Sequence, residues 1–165
     1  MSTRRQWSVA YALQARADFA SYQRMATEQF PRCHVLLFLQ MACEKLCKAH
    51  LCAAGSDPAD LQSSHASVAQ NLPVVAREQF IRTYGRSLKG KEYLITALRH
   101  FGREIELLSP AVDNNGMRLD NCEYPWEDSQ GGLIVPINYH FSNLDFARQQ
   151  TWVLTLIDPR VANAS

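Results

Sequence analysis

The sequence lacks an excess of charge of either sign, a secretory apolar region at its N-terminus and the CxxC pairs of small zinc modules. Its 165 residues carry 17 Lys and Arg against 16 Asp and Glu, so no overall field draws the chain to a charged partner. The first residues reach Gln14, Arg16 and Asp18 too soon to form a secretory leader. We therefore expect a single domain over residues 1–165, located in the cytoplasm and without a membrane span.

Cysteine usage favours reduced thiols. The five cysteines are an odd number, and four of them lie in or beside one predicted helix, where disulfide geometry is poor. Cys43, Cys47 and His50 are spaced so that one helical face could offer two thiolates and an imidazole to zinc. A structural zinc site needs a fourth ligand, and small buried residues that pack a central helix explain the cysteines better. We predict no metal and no cofactor.

Hydrophobic periodicity and turn residues predict an all-α, up-and-down bundle of about five helices. The predicted helices cover residues 4–29, 32–54, 65–71, a segment from Pro73 to near Gly85, 88–108, and a last helix from Ser142. Asp57 and Pro58 are typical of the start of a short turn or helix. Residues 109–141 contain three prolines and three glycines, which predicts a long irregular loop before the last helix.

The second predicted helix contains the run LLFLQMACEKLCKAHL, residues 36–51. Its polar positions Gln40, Glu44 and Lys48 recur every four residues, so they form one narrow stripe on a helix that is otherwise apolar. These few polar residues must emerge at a crevice or pair with one another. We expect Glu44 to pair with Lys48 and Lys45 to reach solvent by its stem, with an acid–base or ligand role for Glu44 and Lys45 as the alternative.

The same helix resembles the HEPN family of helical domains, whose second helix often reads QxAxEKxxKAxL with a histidine downstream. The match covers roughly residues 7–72. The residues that carry it are Phe38, Gln40, Ala42, Glu44, Lys45, Lys48, Ala49 and Leu51, with His65 downstream and Asp18, Phe19 and Ala20 in the first helix.

The resemblance implies a helical bundle, often dimeric, that serves as a nucleotide-binding module, as a companion of small nucleotidyltransferases, or as a metal-independent ribonuclease. It makes Glu44, Lys45 and His65 candidate ligand-binding residues. For His65 a structural role is the alternative, in which it begins a helix and its imidazole accepts a backbone hydrogen bond. Ribonuclease members carry Arg, then roughly four to six residues, then His. None of the five histidines here has an arginine at that spacing, so we assign no catalytic residue.

A basic run lies between residues 77 and 103, with seven Lys and Arg against Glu78 and Glu92. Tyr84 and Tyr93 interleave with it and offer stacking faces beside cations that could bind phosphate. An ordinary solvated helix face would show the same pattern. The candidate phosphate-binding residues are Arg82, Arg86, Lys89, Arg99 and Arg103.

These features favour a non-catalytic HEPN-like module that binds a nucleotide or RNA phosphate and acts beside a partner protein, such as a nucleotidyltransferase or a toxin–antitoxin partner. One alternative is a divergent HEPN ribonuclease or nucleotide-processing enzyme that uses His65, His100, Glu44 and Lys45. A second is a purely structural dimerisation or antitoxin-like module.

We expect a homodimer, because the second helix offers more apolar surface than the bundle can readily bury. The NCEYPWED segment of the long loop either packs on the bundle or forms a lid or partner-binding surface.

Overall fold

A computed structural model describes residues 2–65, 67–85, 87–110, 112 and 120–144. Within these ranges the protein is an all-α bundle followed by a long irregular segment, as the sequence predicts. Its helices are α1 (Arg4–Thr27), α2 (Arg32–Ala53), α3 (Pro58–Ser63), α4 (Val68–Tyr84) and α5 (Glu92–Glu106). The irregular segment contains a small hairpin, β1 (Trp126–Glu127) and β2 (Leu133–Ile134), and single turns of 3₁₀ helix at Pro136–Asn138 and Ser142–Leu144. The rest of the predicted last helix, from residue 145 onward, lies outside the described residues.

Helices α1 and α2 pack along each other as a helical hairpin. Helix α1 begins with a capping box, in which Thr3 and Gln6 satisfy each other's backbone N–H groups. Gln29 takes a left-handed backbone conformation in the turn that follows α1, and Pro31 precedes α2. The inner side of α1 is narrow, because among its residues only Ala15, Asp18 and Phe19 are buried.

Helix α2 is the central element of the bundle. Thirteen of its 22 residues are buried against α1, α4, α5 and the irregular segment. The sequence analysis expected this helix to leave apolar surface for a second copy of the chain. Its large apolar residues Leu37, Phe38, Met41 and Leu51 stay partly exposed, so that expectation stays a prediction.

Helix α4 is one continuous helix, although the sequence analysis placed a break at Pro73. Pro73 lies inside the helix and is buried with Leu72 and Val75 on the face turned to the core. A proline there removes one backbone hydrogen bond, and the burial of this face outweighs that loss. The start of α4 gains a hydrogen bond across the bundle, because the Glu106 carboxylate accepts from the Ala69 N–H at 2.9 Å.

Helix α5 packs closely on the start of α4 through a glycine. A β-carbon at Gly102 would lie 3.2 Å from both the Ala69 α-carbon and the Val68 carbonyl oxygen. The helix predicted over 88–108 is confirmed, but it begins at Glu92 and ends at Glu106. Among the described residues, no helix is long and apolar enough to span a membrane.

Candidate functional site

The polar stripe of α2 is buried and pairs within itself. Gln40, Glu44 and Lys48 are each less than a tenth exposed. The Lys48 ammonium lies 2.6 Å from Glu44 Oε1, and Gln40 donates to Glu44 Oε2 at 3.0 Å. The predicted Glu44–Lys48 pair is thus confirmed. Burial of these charges is tolerable only because each one meets an opposite charge or a hydrogen-bond partner.

Lys45 reaches solvent only in part, with 22% of its side chain exposed, because its ammonium pairs with Asp18. Its ammonium lies 2.9 Å from Asp18 Oδ2 in α1, and Gln14 donates to the other Asp18 oxygen at 2.9 Å. The Lys45 contact is a close ion pair rather than a well-directed hydrogen bond. Because Asp18 is buried and an unpaired carboxylate there would be costly, the lysine stem bends inward to neutralise it.

His65 lies before α4 rather than at the start of a helix. Its Nδ1 atom is 3.4 Å from Glu44 Oε1 and 3.5 Å from Oε2, so its partner is a carboxylate and not the backbone. Two of the three residues singled out by the family resemblance, Glu44 and His65, therefore meet. The third, Lys45, turns towards α1. This polar cluster is a set of paired charges with a half-exposed imidazole at its edge.

A groove of about 620 Å³ lies between α4 and α5 and contains two of the five candidate phosphate-binding residues, Lys89 and Arg99. Arg77 approaches it from α4, Lys89 from the connecting segment, and Arg99 from α5. Apolar side chains form much of its wall. The other lining residues are Pro73, Val74, Ser87, Leu88, Glu92, Ile95 and Thr96.

Three cations in this groove face one carboxylate. Glu92 Oε1 accepts a hydrogen bond from the Gly90 N–H at 3.0 Å, next to the start of α5. Backbone N–H groups of Glu92 and Gly90 lower the pKa of this carboxyl group, so it stays ionised at neutral pH. An anion that enters the groove meets a cationic surface in which the one acid is already engaged by the backbone.

The remaining predicted patch residues do not share this groove. Arg82 lines a separate cleft of about 240 Å³ between α1, α2 and α4, where His50 Nδ1 lies 3.3 Å from Glu78 Oε2. Arg103 is exposed on α5 outside both lining sets. Arg86 lies outside the described residues.

Arg77 is a groove residue that the sequence analysis counted in the basic run but did not select. Helical spacing indicates its position, because residues three apart lie on the same helix face. Arg77 follows Val74 by three residues, and both line the groove. Lys91 is not among the residues that line the groove. Its ammonium lies 6.0 Å from the centre of the Phe80 ring. Neither Tyr84 nor Tyr93 is among the groove residues, although both are more than half exposed.

The cysteines are buried as free thiols. Burial raises the pKa of both Cys43 and Cys47, and at Cys47 the nearby Cys43, Glu106 and Glu44 add to the rise. Over the part of the chain that is described, no three His, Cys, Asp or Glu side chains are grouped as metal ligands would be. The zinc-free prediction stays a prediction.

Comparison of the chain with protein-family models, curated proteins and solved structures finds no match. The family resemblance of α2 therefore rests on the residues named above, and function has to be argued from the geometry.

Proposed function

We propose that the chain is a non-catalytic helical module that binds a nucleotide or an RNA phosphate in the α4–α5 groove. One observation carries the proposal: Arg77, Lys89 and Arg99 line a partly apolar groove whose one carboxylate, Glu92, is held by a backbone N–H. Guanidinium groups match the geometry of phosphate oxygens, and an apolar wall can accommodate a base or ribose.

The three cations set the expected salt dependence. Each phosphate of a single strand that is neutralised contributes about −0.7 to the slope of log affinity against log salt. If Arg77, Lys89 and Arg99 each contact a phosphate, the slope should be about −2. Removal of one cation should make it shallower by about 0.7.

The experiment compares charge-neutralising variants inside the groove with one outside it. We expect Arg99→Gln and Arg77→Gln to weaken binding of a short single-stranded RNA and of ATP by about tenfold each, measured by fluorescence anisotropy and calorimetry. Arg103→Gln is the matched control, because it removes the same charge one turn along α5 and outside the groove. Equal affinity of Arg99→Gln and Arg103→Gln would show that the basic run is an ordinary solvated face.

We also propose a HEPN-like assignment, supported by the all-α fold and by the meeting of Glu44 with His65. This assignment carries with it a cytoplasmic location, which the free thiols support, and a partner protein such as a nucleotidyltransferase or an antitoxin. Co-expression with a candidate nucleotidyltransferase followed by size-exclusion chromatography tests the partner. If no complex elutes, the proposal of a nucleotidyltransferase partner fails. The proposal of phosphate binding in the groove is tested separately by the arginine variants.

A homodimer is part of the proposal, but α1 offers the better surface. Val9 and Leu13 are more than half exposed on the outer side of α1, and the small residues Ala10, Ala17 and Ala20 are exposed on the same helix. Light scattering should return about twice the 18.7 kDa mass of one chain, and Leu13→Lys should return the monomer mass. A wild-type mass of one chain at micromolar concentrations contradicts it.

The enzyme alternative is favoured by carboxylate-paired imidazoles. His65 lies 3.4 Å from Glu44, and His100 lies 3.9 Å from Glu104. Carboxylate pairing can orient a histidine for acid–base chemistry. RNA cleavage in EDTA that His65→Ala or His100→Ala abolishes would favour this enzyme reading. Dimer formation without any ligand binding would favour the structural module instead.

A further inference from the structure

The irregular segment contains a short hairpin with a defined register. Trp126 pairs with Ile134 and Glu127 pairs with Leu133 in an antiparallel arrangement. Asp128 closes the turn, because its Oδ1 atom accepts from the N–H groups of Gln130 and Gly132 at 2.9 and 2.8 Å. These bonds hold the side chains of the hairpin in defined positions.

One face of the hairpin is tied to the bundle. The Trp126 ring lies edge-on to Tyr139, with centroids 5.0 Å apart, and Tyr139 packs in the same way on Phe141 at 4.9 Å. Phe141 is fully buried in the hydrophobic core. Cross-strand partners share a face, so Trp126 and Ile134 lie on this inner side while Glu127 and Leu133 lie on the outer side.

An apolar strip begins on the outer side of β2: Leu133 belongs to β2, Val135 follows it in an extended conformation, and Ile137 lies in the 3₁₀ turn Pro136–Asn138. These side chains are 71%, 39% and 55% exposed, while Pro136 between them is buried. A single exposed apolar residue is ordinary. Three within five residues of one segment are a group of the kind found where proteins bind one another.

The segment that carries the strip is acidic. Residues 120–144 contain four acids and neither Lys nor Arg. Glu127 lies directly across from Leu133 on the same face, and Glu123 is exposed nearby in the chain. This face therefore combines apolar side chains with negative charge, whereas the α4–α5 groove is cationic.

We propose that this strip docks a segment of a partner protein that presents apolar side chains flanked by lysine or arginine. Charge complementarity selects such a segment, because a partner with acids beside its apolar residues would be repelled by Glu127 and its neighbours. The proposal does not depend on nucleotide or RNA binding, since no strip residue lines the groove.

The test uses two synthetic peptides with the full chain. One alternates leucine with lysine, and the other alternates leucine with glutamate. In fluorescence anisotropy we expect the lysine peptide to bind at least about tenfold more tightly than the glutamate peptide. Leu133→Ser with Ile137→Ser should reduce that binding at least about tenfold, and Glu127→Gln should weaken it and flatten its salt dependence.

The matched control is Phe30→Ser with Ile81→Ser, which removes exposed apolar side chains, 44% and 40% exposed, from outside the hairpin and the groove. This variant should bind the lysine peptide as the wild type does. If the double strip variant loses its helical circular dichroism, Ile137→Ser alone carries the test. Equal binding by the strip variant and the control variant overturns the proposal. So does a wild-type dimer that the strip variant converts to a monomer, since the occupant would then be a second copy of the chain.

Discussion

Lys45 and Asp18 form a largely buried ion pair with 2.9 Å between Nζ and Oδ2, although the residue before Lys45 pairs in another direction. Glu44 turns along α2 to Lys48, with 2.6 Å between Oε1 and Nζ. The two adjacent residues thus belong to two separate ion pairs, one joining α2 to α1 and one within α2. Buried pairs of this kind are sensitive to the loss of either partner.

We expect Lys45→Met to lower the free energy of unfolding by about 2–3 kcal/mol, because Asp18 is left buried with Gln14 as its remaining partner. Urea denaturation measures the change. Adding Asp18→Leu should recover most of the loss, because the second substitution removes the uncompensated charge.

Arg24→Met is the control for this pair. It breaks the contact between Arg24 and Glu28, whose side chains are 78% and 46% exposed, and should cost less than about 1 kcal/mol. If Lys45→Met costs no more than Arg24→Met, the contact between α1 and α2 does not behave as a buried pair.

Glu44→Gln separates a structural role from a ligand role. The substitution keeps the shape of the side chain but leaves the Lys48 ammonium buried without its counter-charge, so we expect a loss of about 3 kcal/mol in unfolding free energy. Combining it with Lys48→Met should restore part of that stability. Unchanged stability together with lost nucleotide affinity would instead identify Glu44 as a ligand-binding residue.

Gly102→Ala should destabilise the protein by about 1 kcal/mol even though alanine is the better helix former. The new methyl group would press on backbone atoms of Val68 and Ala69 at 3.2 Å, and neither can rotate away. Thermal unfolding measures the effect. Thr96→Ala, at an exposed site on the same helix, should be neutral or slightly stabilising, and a stabilising Gly102→Ala would show that α5 is not held this close to α4.

The buried thiols predict a loss of stability in alkali. Burial raises the pKa of Cys122 to about 12, while an exposed thiol ionises near pH 9. The unfolded chain therefore releases protons that the folded chain retains, so stability is complete below about pH 9 and falls as the pH rises towards 12. Urea midpoints measured from about pH 8 to about pH 11 should show this fall, and Cys122→Ala should reduce it.

Alkylation gives an independent measure of the same thiols. At pH 8, iodoacetamide should label them slowly in the folded protein and rapidly in urea, because thiolate is the reactive form. Fast labelling of Cys43 or Cys47 in the folded protein would contradict their burial.

Much of the fold could be predicted from local features. Thr3 caps α1, Asp57 and Pro58 begin α3, and Gly85 ends α4 in a left-handed conformation. These signals act within a few residues, so they can be recognised without knowledge of the rest of the chain. The break predicted at Pro73 was wrong because a buried helix face overrides a local preference.

The candidate site was less predictable. The charge run included Arg82 and Arg99 as one patch, yet these residues line different clefts, because α4 presents one face to α5 and another to α1 and α2. Arg77 lines the groove because it lies on the face of α4 that is turned to α5. Charge counts along a sequence do not say which helix will cover which face.

The sequence by itself determined that the chain forms an all-α bundle, that α2 is its central helix and that Glu44 pairs with Lys48, because helical periodicity and i to i+4 spacing are local. Only the tertiary structure decided that Lys45 meets Asp18, that His65 reaches Glu44, and that an apolar strip lies beside acids on the hairpin. Those contacts join residues distant in sequence, and they depend on how the helices and the hairpin pack in three dimensions.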